Sequence, residues 1–158
     1  MNRITKNITR AALIAALYIA GTLVSHLFGL SSGAIQVRIS EALCILPAFT
    51  FSAVPGLFVG CFCANLLTGA PLWDIVLGPL ATLLGALGTY YFGKSKYTAP
   101  IFPILTNTII IPIVLKYVYG IDNIIWYFAA TVFLGEFISC GIIGTMLYKS
   151  IEKTNLYR

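Results

Sequence analysis

Charged residues are so sparse along this chain that the intervals between them outline its architecture. Residues 11–37, 42–73, 75–93 and 97–115 contain no Asp, Glu, Lys or Arg, and 123–148 contains Glu136 alone. A helix crossing a hydrocarbon core takes roughly 20 apolar residues at about 1.5 Å each. The run 42–73 would make a helix of about 48 Å, too long for a core of about 30 Å. It contains Ser52, Pro55 and Gly56, and proline removes a helical donor and restricts the residue before it. The pattern therefore predicts a short segment over 40–52 and a helix over 54–70. The remaining predicted helices are 9–29, 73–92, 99–118 and 123–149. The expected fold is all-α, with six transmembrane helices in a single integral membrane domain over 1–158.

Composition agrees with this pattern. Hydrophobic residues make up 59% and charged residues 9%, where a soluble domain carries about 25% charged. Five acids and ten bases cannot cover a globular surface, and no length remains for a soluble domain. Arg3, Lys6 and Arg10 ahead of an apolar stretch have the outline of a signal peptide. That stretch continues to about Leu30, beyond an ordinary h-region, without a clean cleavage pattern, so it is read as the first span. Cys44, Cys61, Cys63 and Cys140 lie in apolar runs and read as small packing residues. His26 is the only histidine, so no metal set is expected.

Basic residues set the orientation. With six spans and a cytoplasmic N-terminus, Arg3, Lys6, Arg10, Lys94, Lys96, Lys149, Lys153 and Arg158 lie inside, against Arg38 and Lys116 outside. A re-entrant 40–52 would put only Arg3, Lys6, Arg10 and Lys116 inside. The positive-inside bias selects six spans with both termini cytoplasmic.

This orientation gathers the polar chemistry at the external end. Arg38 and Glu41 open the second helix, Trp73 and Asp74 the fourth, and Lys116 and Asp122 flank the last external loop. Acids in or near hydrocarbon are costly and usually face a cavity or a partner. Glu41, Asp74 and Glu136 come from three helices and are candidate ligand contacts, able to grip a planar donor pair or neutralise an ammonium. The competing readings are an ion pair of Arg38 with Glu41 or Asp74, and Asp74 as a helix cap. Arg38 either contacts ligand or holds the adjoining loop. Asn65 and Asn107 offer donor and acceptor together, or serve as interhelical glue. Trp73 and Trp126 suit an aromatic belt or a stacking surface, and His26 reads as a satisfied polar side chain.

Ala12, Ala16 and Ala20, with Ala11 and Ala15 beside them, give the first helix a smooth stripe for close helix approach. Gly56-x-x-x-Gly60-x-x-x-Ala64 is a similar stripe, read as internal packing. Gly88 through Ser95 matches the phosphate-loop pattern G-x-x-x-x-G-K-[ST], but that chemistry needs a strand before the loop and a helix after it. Here the string closes a transmembrane helix and is filled with aromatics, so Lys94 and Lys96 read as topological anchors. Neither a nucleophile–base pair nor a metal set argues for an enzyme. The net charge of +5 is spread along membrane edges, which gives no nucleic-acid patch.

Taken together, Arg38-Ile-Ser-Glu41-Ala-Leu, Leu46-Pro47, Gly60-Cys-Phe-Cys-Ala64-Asn65, Trp73-Asp74-Ile-Val-Leu-Gly78 with Ala81-Thr82, and Gly135-Glu136 resemble the QueT family. These are substrate-binding S components of energy-coupling-factor (ECF) transporters, multi-pass proteins of the bacterial plasma membrane. The resemblance implies capture of a queuosine precursor outside the cell, with 7-aminomethyl-7-deazaguanine the expected compound. It implies uptake through one T component and two ATPase subunits, with no cofactor of the chain's own. Ala12, Ala16 and Ala20 then resemble the surface that docks the T component, and Ser31–Ile39, with Gly33, the gating loop. Glu41 or Glu136 is expected on the guanine edge, Asp74 or the remaining Glu on the ammonium, and Asn65, Asn107 or Gln36 on the ring oxygen and pyrrole N–H. The alternative is a stand-alone proton-coupled carrier with Glu136 as relay, for which no inverted repeat is evident.

Overall fold

The computed structural model describes residues 2–30, 36–117 and 125–154. Among these there is no strand, and six helical elements follow one another: α1 (Arg3–Leu27), α2 (Ile39–Ala48), α3 (Ala53–Leu67), α4 (Leu72–Phe92), α5 (Ile101–Tyr117) and α6 (Ile125–Thr154). Each expected segment has its counterpart, and α1 starts six residues ahead of the expected Leu-Ile-rich run. Three helices, α1, α4 and α6, are long and apolar enough to cross a membrane, while α2, α3 and the apolar part of α5 are shorter. The polarity of the bundle is that of a membrane protein. Leu13, Leu17, Leu84, Leu105, Ile109 and Phe133 are exposed, while Glu41, Asn65, Thr82 and Asn107 are buried. In water the reverse arrangement is the rule.

The short second segment is the centre of the molecule. α2 is wound with tight 3₁₀ turns, seen in Glu41 N–H donating to the Arg38 carbonyl at 3.1 Å and Phe49 N–H to that of Leu46 at 2.9 Å. At about 2.0 Å per residue this winding extends ten residues over about 20 Å, further than an α-helix would. Its Ser40, Glu41, Ala42, Cys44, Ile45, Leu46 and Pro47 are buried among α1, α3, α4 and α6. The break after it falls at 49–52, and Pro55 sits in the first turn of α3, where its missing donor costs nothing.

Small residues set the distances between the helices. A Cβ on Gly56 would lie 2.7 Å from the Ala11 carbonyl oxygen, and one on Gly60 would lie 2.9 Å from Tyr18 Cβ. The glycine stripe of α3 therefore packs on the Ala11/Ala15/Tyr18 face of α1, while Ala12, Ala16 and Ala20 remain exposed. At the other end of α4, a Cβ on Gly88 would meet the Phe102 ring at 2.6 Å and one on Gly93 would meet Ala99 Cα at 3.0 Å. Thr89 Oγ1 donates to the Ala99 carbonyl at 2.9 Å. The glycines of the phosphate-loop-like string thus let α4 and α5 approach.

Candidate functional site

The end of the bundle where Arg38, Glu41 and Asp74 open their helices encloses a cavity of about 270 Å³. Gln36, Arg38, Glu41, Asn65, Asp74, Asn107 and Glu136 all line it. Of the residues singled out as ligand contacts, Trp73 does not; it is 48% exposed on the outside of α4, where it suits an interfacial belt. Ser31–Ala34 and Ile35 of the expected gate, with Gly33, lie outside the described residues, as does Asp122.

Glu41 is held by its own neighbourhood. The Tyr18 hydroxyl donates to its Oε1 and the Cys44 thiol donates to its Oε2 at 3.1 Å. The start of α2 is tied to α1 twice more: Thr22 Oγ1 donates to Ser40 Oγ at 2.8 Å, and Ile39 N–H donates to Ser25 Oγ at 2.9 Å. Asn65 is also committed. Its Nδ2 donates to the Asp74 carbonyl at 2.9 Å, and its Oδ1 accepts from Arg38 Nη1 at 3.3 Å. A Cβ on Gly78 would stand 3.0 Å from Asn65 Nδ2, so a bare α-carbon there leaves room for the amide. Asn65 thereby links α3, the start of α4 and the residue ahead of α2.

The opposite wall is built differently. Asn107 Nδ2 donates to Glu136 Oε1 at 2.7 Å, joining α5 to α6. Glu136 Oε2 is buried and has no hydrogen-bond partner among the described residues. Beside it, a Cβ on Gly135 would fall 2.1 Å from the Gln36 carbonyl oxygen. Only glycine at 135 admits the backbone that leads from the gate region into α2. The Arg38 guanidinium acts electrostatically on Glu41, Asp74 and Glu136. Three carboxyl groups and one guanidinium thus share the wall of the cavity.

Sequence reading missed Cys61, Gly78, Thr82, Ile111, Tyr127, Phe128, Thr131, Val132 and Ser139, which complete the lining. Helical spacing carried the signal. Cys61 precedes Asn65 by four residues, Gly78 and Thr82 follow Asp74 at four and eight, and Ile111 follows Asn107 at four. Phe128 and Val132 precede Glu136 at eight and four. Residues four apart share a helix face, so each polar anchor implied its own stripe. Tyr127 and Phe128 supply the aromatic surface expected from Trp73.

The family model for the QueT transporter matches residues 8–153. The chain belongs to the QueT transporter family. It is a multi-pass membrane protein, of the plasma membrane in bacteria, as the lipid-facing apolar surface of the bundle requires. It is also similar to a protein named Queuosine precursor transporter QueT from Lactococcus lactis subsp. cremoris (strain MG1363). The identity is 34% over 94 residues, which is 58% of this chain. The matched stretch spans about half of that relative, 54% of its length. No solved structure matches the chain.

Proposed function

We propose that this chain is the substrate-binding S component of an ECF-type importer and that its cavity takes a queuosine precursor, 7-aminomethyl-7-deazaguanine. The carrying observation is the cavity itself, lined by three carboxyl groups and with one buried carboxyl oxygen, Glu136 Oε2, without a partner among the described residues. At about 270 Å³ it sits near the lower bound of small-molecule sites, about 300 Å³, which suits a bicyclic heterocycle. Membership of a transporter family and the name of the Lactococcus relative support the substrate class.

In this reading all six helices count as transmembrane segments and both termini are cytoplasmic. The cavity then opens to the outside, and Lys94 and Lys96 lie inside. Glu136 takes a ring N–H of the guanine edge. Asp74, half-buried at the rim, neutralises the ammonium, and Tyr127 and Phe128 flank the ring. Glu41, with both oxygens already accepting, contributes charge and shape more than a new bond. The exposed Ala12, Ala16 and Ala20 face the T component, and ATP is hydrolysed by two partner subunits.

Calorimetric titration of the purified chain alone tests the reading. Tight binding of 7-aminomethyl-7-deazaguanine, with weaker binding of 7-cyano-7-deazaguanine and of guanine, is expected. Preference for the cyano compound would remove the ammonium pairing, and a folded chain that binds none of the three would remove the substrate.

A further inference from the structure

We infer that Ser139 is a ligand contact and that, paired with Glu136, it selects a lactam edge, a ring N–H beside a carbonyl. The inference rests on the 7-deazapurine reading and deepens it. Ser139 and Glu136 are three residues apart on α6 and both line the cavity. Ser139 is 1% exposed, and its Oγ, like Glu136 Oε2, has no hydrogen-bond partner among the described residues. A buried hydroxyl without a partner is unfavourable by about 1–3 kcal/mol. Two such atoms on one wall of one cavity point to a ligand that completes them.

The threonine hydroxyls of the cavity behave differently. Thr82 Oγ1 donates to the Gly78 carbonyl at 3.1 Å and Thr131 Oγ1 to that of Phe128 at 3.0 Å, each satisfied by its own helix. Ser139 instead lies in the widened π-helical stretch Phe137–Gly144 that begins directly after Glu136. Such insertions are rare in helices and recur at functional sites. The winding leaves the Ser139 hydroxyl without the back-bond its counterparts make.

The two free atoms have unlike chemistry. A carboxyl oxygen with a free lone pair accepts a ring N–H, whereas a hydroxyl can donate to the carbonyl beside it. Of the cavity's donors, Arg38 Nη1 is engaged by Asn65 and Asn107 Nδ2 by Glu136, and the Ser139 hydroxyl is the one set three residues from Glu136 on α6. A ligand carbonyl therefore finds its donor in Ser139 while the adjacent ring N–H donates to Glu136 Oε2. A ligand with an amino group in place of that carbonyl also lacks the hydrogen on the adjacent ring nitrogen, which sets a lone pair against Glu136 Oε2 and breaks the paired register.

The test compares 7-aminomethyl-7-deazaguanine with its analogue carrying a 6-amino group in place of the 6-oxo group, by calorimetry on the full chain. The unaltered chain should prefer the 6-oxo compound. Ser139→Ala should weaken the 6-oxo compound roughly five- to tenfold, leave the 6-amino compound unchanged and so narrow the preference. Ser139→Cys, close in volume but a weak donor, should narrow it by less. Unchanged affinities in Ser139→Ala, or an equal fall for both compounds, would overturn the inference and leave the substrate reading standing. An unaltered chain that binds neither compound would overturn both.

Discussion

Glu41 and Glu136 face one cavity from opposite walls, and their surroundings give them different work. Around Glu41, a tyrosine hydroxyl and a thiol supply one donor to each carboxylate oxygen, from α1 and from its own turn. Around Glu136, a single amide serves Oε1 and nothing among the described residues serves Oε2. The first arrangement resembles a structural joint, since it fastens the central 3₁₀ segment to α1 alongside the Thr22–Ser40 bond. The second has an unmet acceptor on a residue that lines the cavity. Two glutamates of equal sequence prominence thus divide into one with both oxygens satisfied and one with an oxygen left open, and the division is visible only in who donates to them.

The strongest way to break this comparison is Glu136→Gln. Ligand affinity should fall at least tenfold, by up to about 3 kcal/mol for a lost bond to a charged group. The melting temperature of the ligand-free protein should hold, because an amide oxygen can still accept from Asn107. Equal affinity in calorimetry would take Glu136 out of the site. Tyr18→Phe should produce the opposite profile. Thermal stability should drop by about 1–2 kcal/mol as Glu41 loses its donor, with ligand affinity changed less than threefold in the same titrations. A large affinity loss at unchanged stability would make Glu41 the contact.

Smaller effects sharpen the boundary of the site. Trp73→Ala removes a side chain outside the cavity and should alter affinity by no more than about 0.5 kcal/mol; a tenfold loss would require the indole to fold over the ligand. Ala16→Leu enlarges the exposed face of α1 and should leave binding by the isolated chain unchanged within about 0.5 kcal/mol. If the proposed importer assembly forms, the same variant should lose co-purification with its T component and ATPases, and retained association would move the docking surface elsewhere.

The local sequence determined the helices, since a run without charges belongs in hydrocarbon whatever its neighbours are. It also determined which residues had to be accounted for. Each acid or amide inside an apolar run carries a desolvation cost that some partner must offset, and Arg38, Glu41, Asn65, Asp74, Asn107 and Glu136 do line one cavity. Helical spacing held more than was read from it, as the stripes through Asp74–Gly78–Thr82 and Phe128–Val132–Glu136 illustrate.

Tertiary structure decided the rest. Trp73 and Asp74 are adjacent in the chain, yet one is exposed on the outer side of α4 and the other lines the cavity. The tightly wound α2 is buried among four other helices, a placement that no ten-residue window records. Whether a carboxylate oxygen is spoken for depends on donors 23 or 29 residues away, as Tyr18 is from Glu41 and Asn107 from Glu136. Hydrophobic partition sums over one segment and can be read along the chain. Hydrogen bonds are made between segments, at distances only the packed bundle fixes.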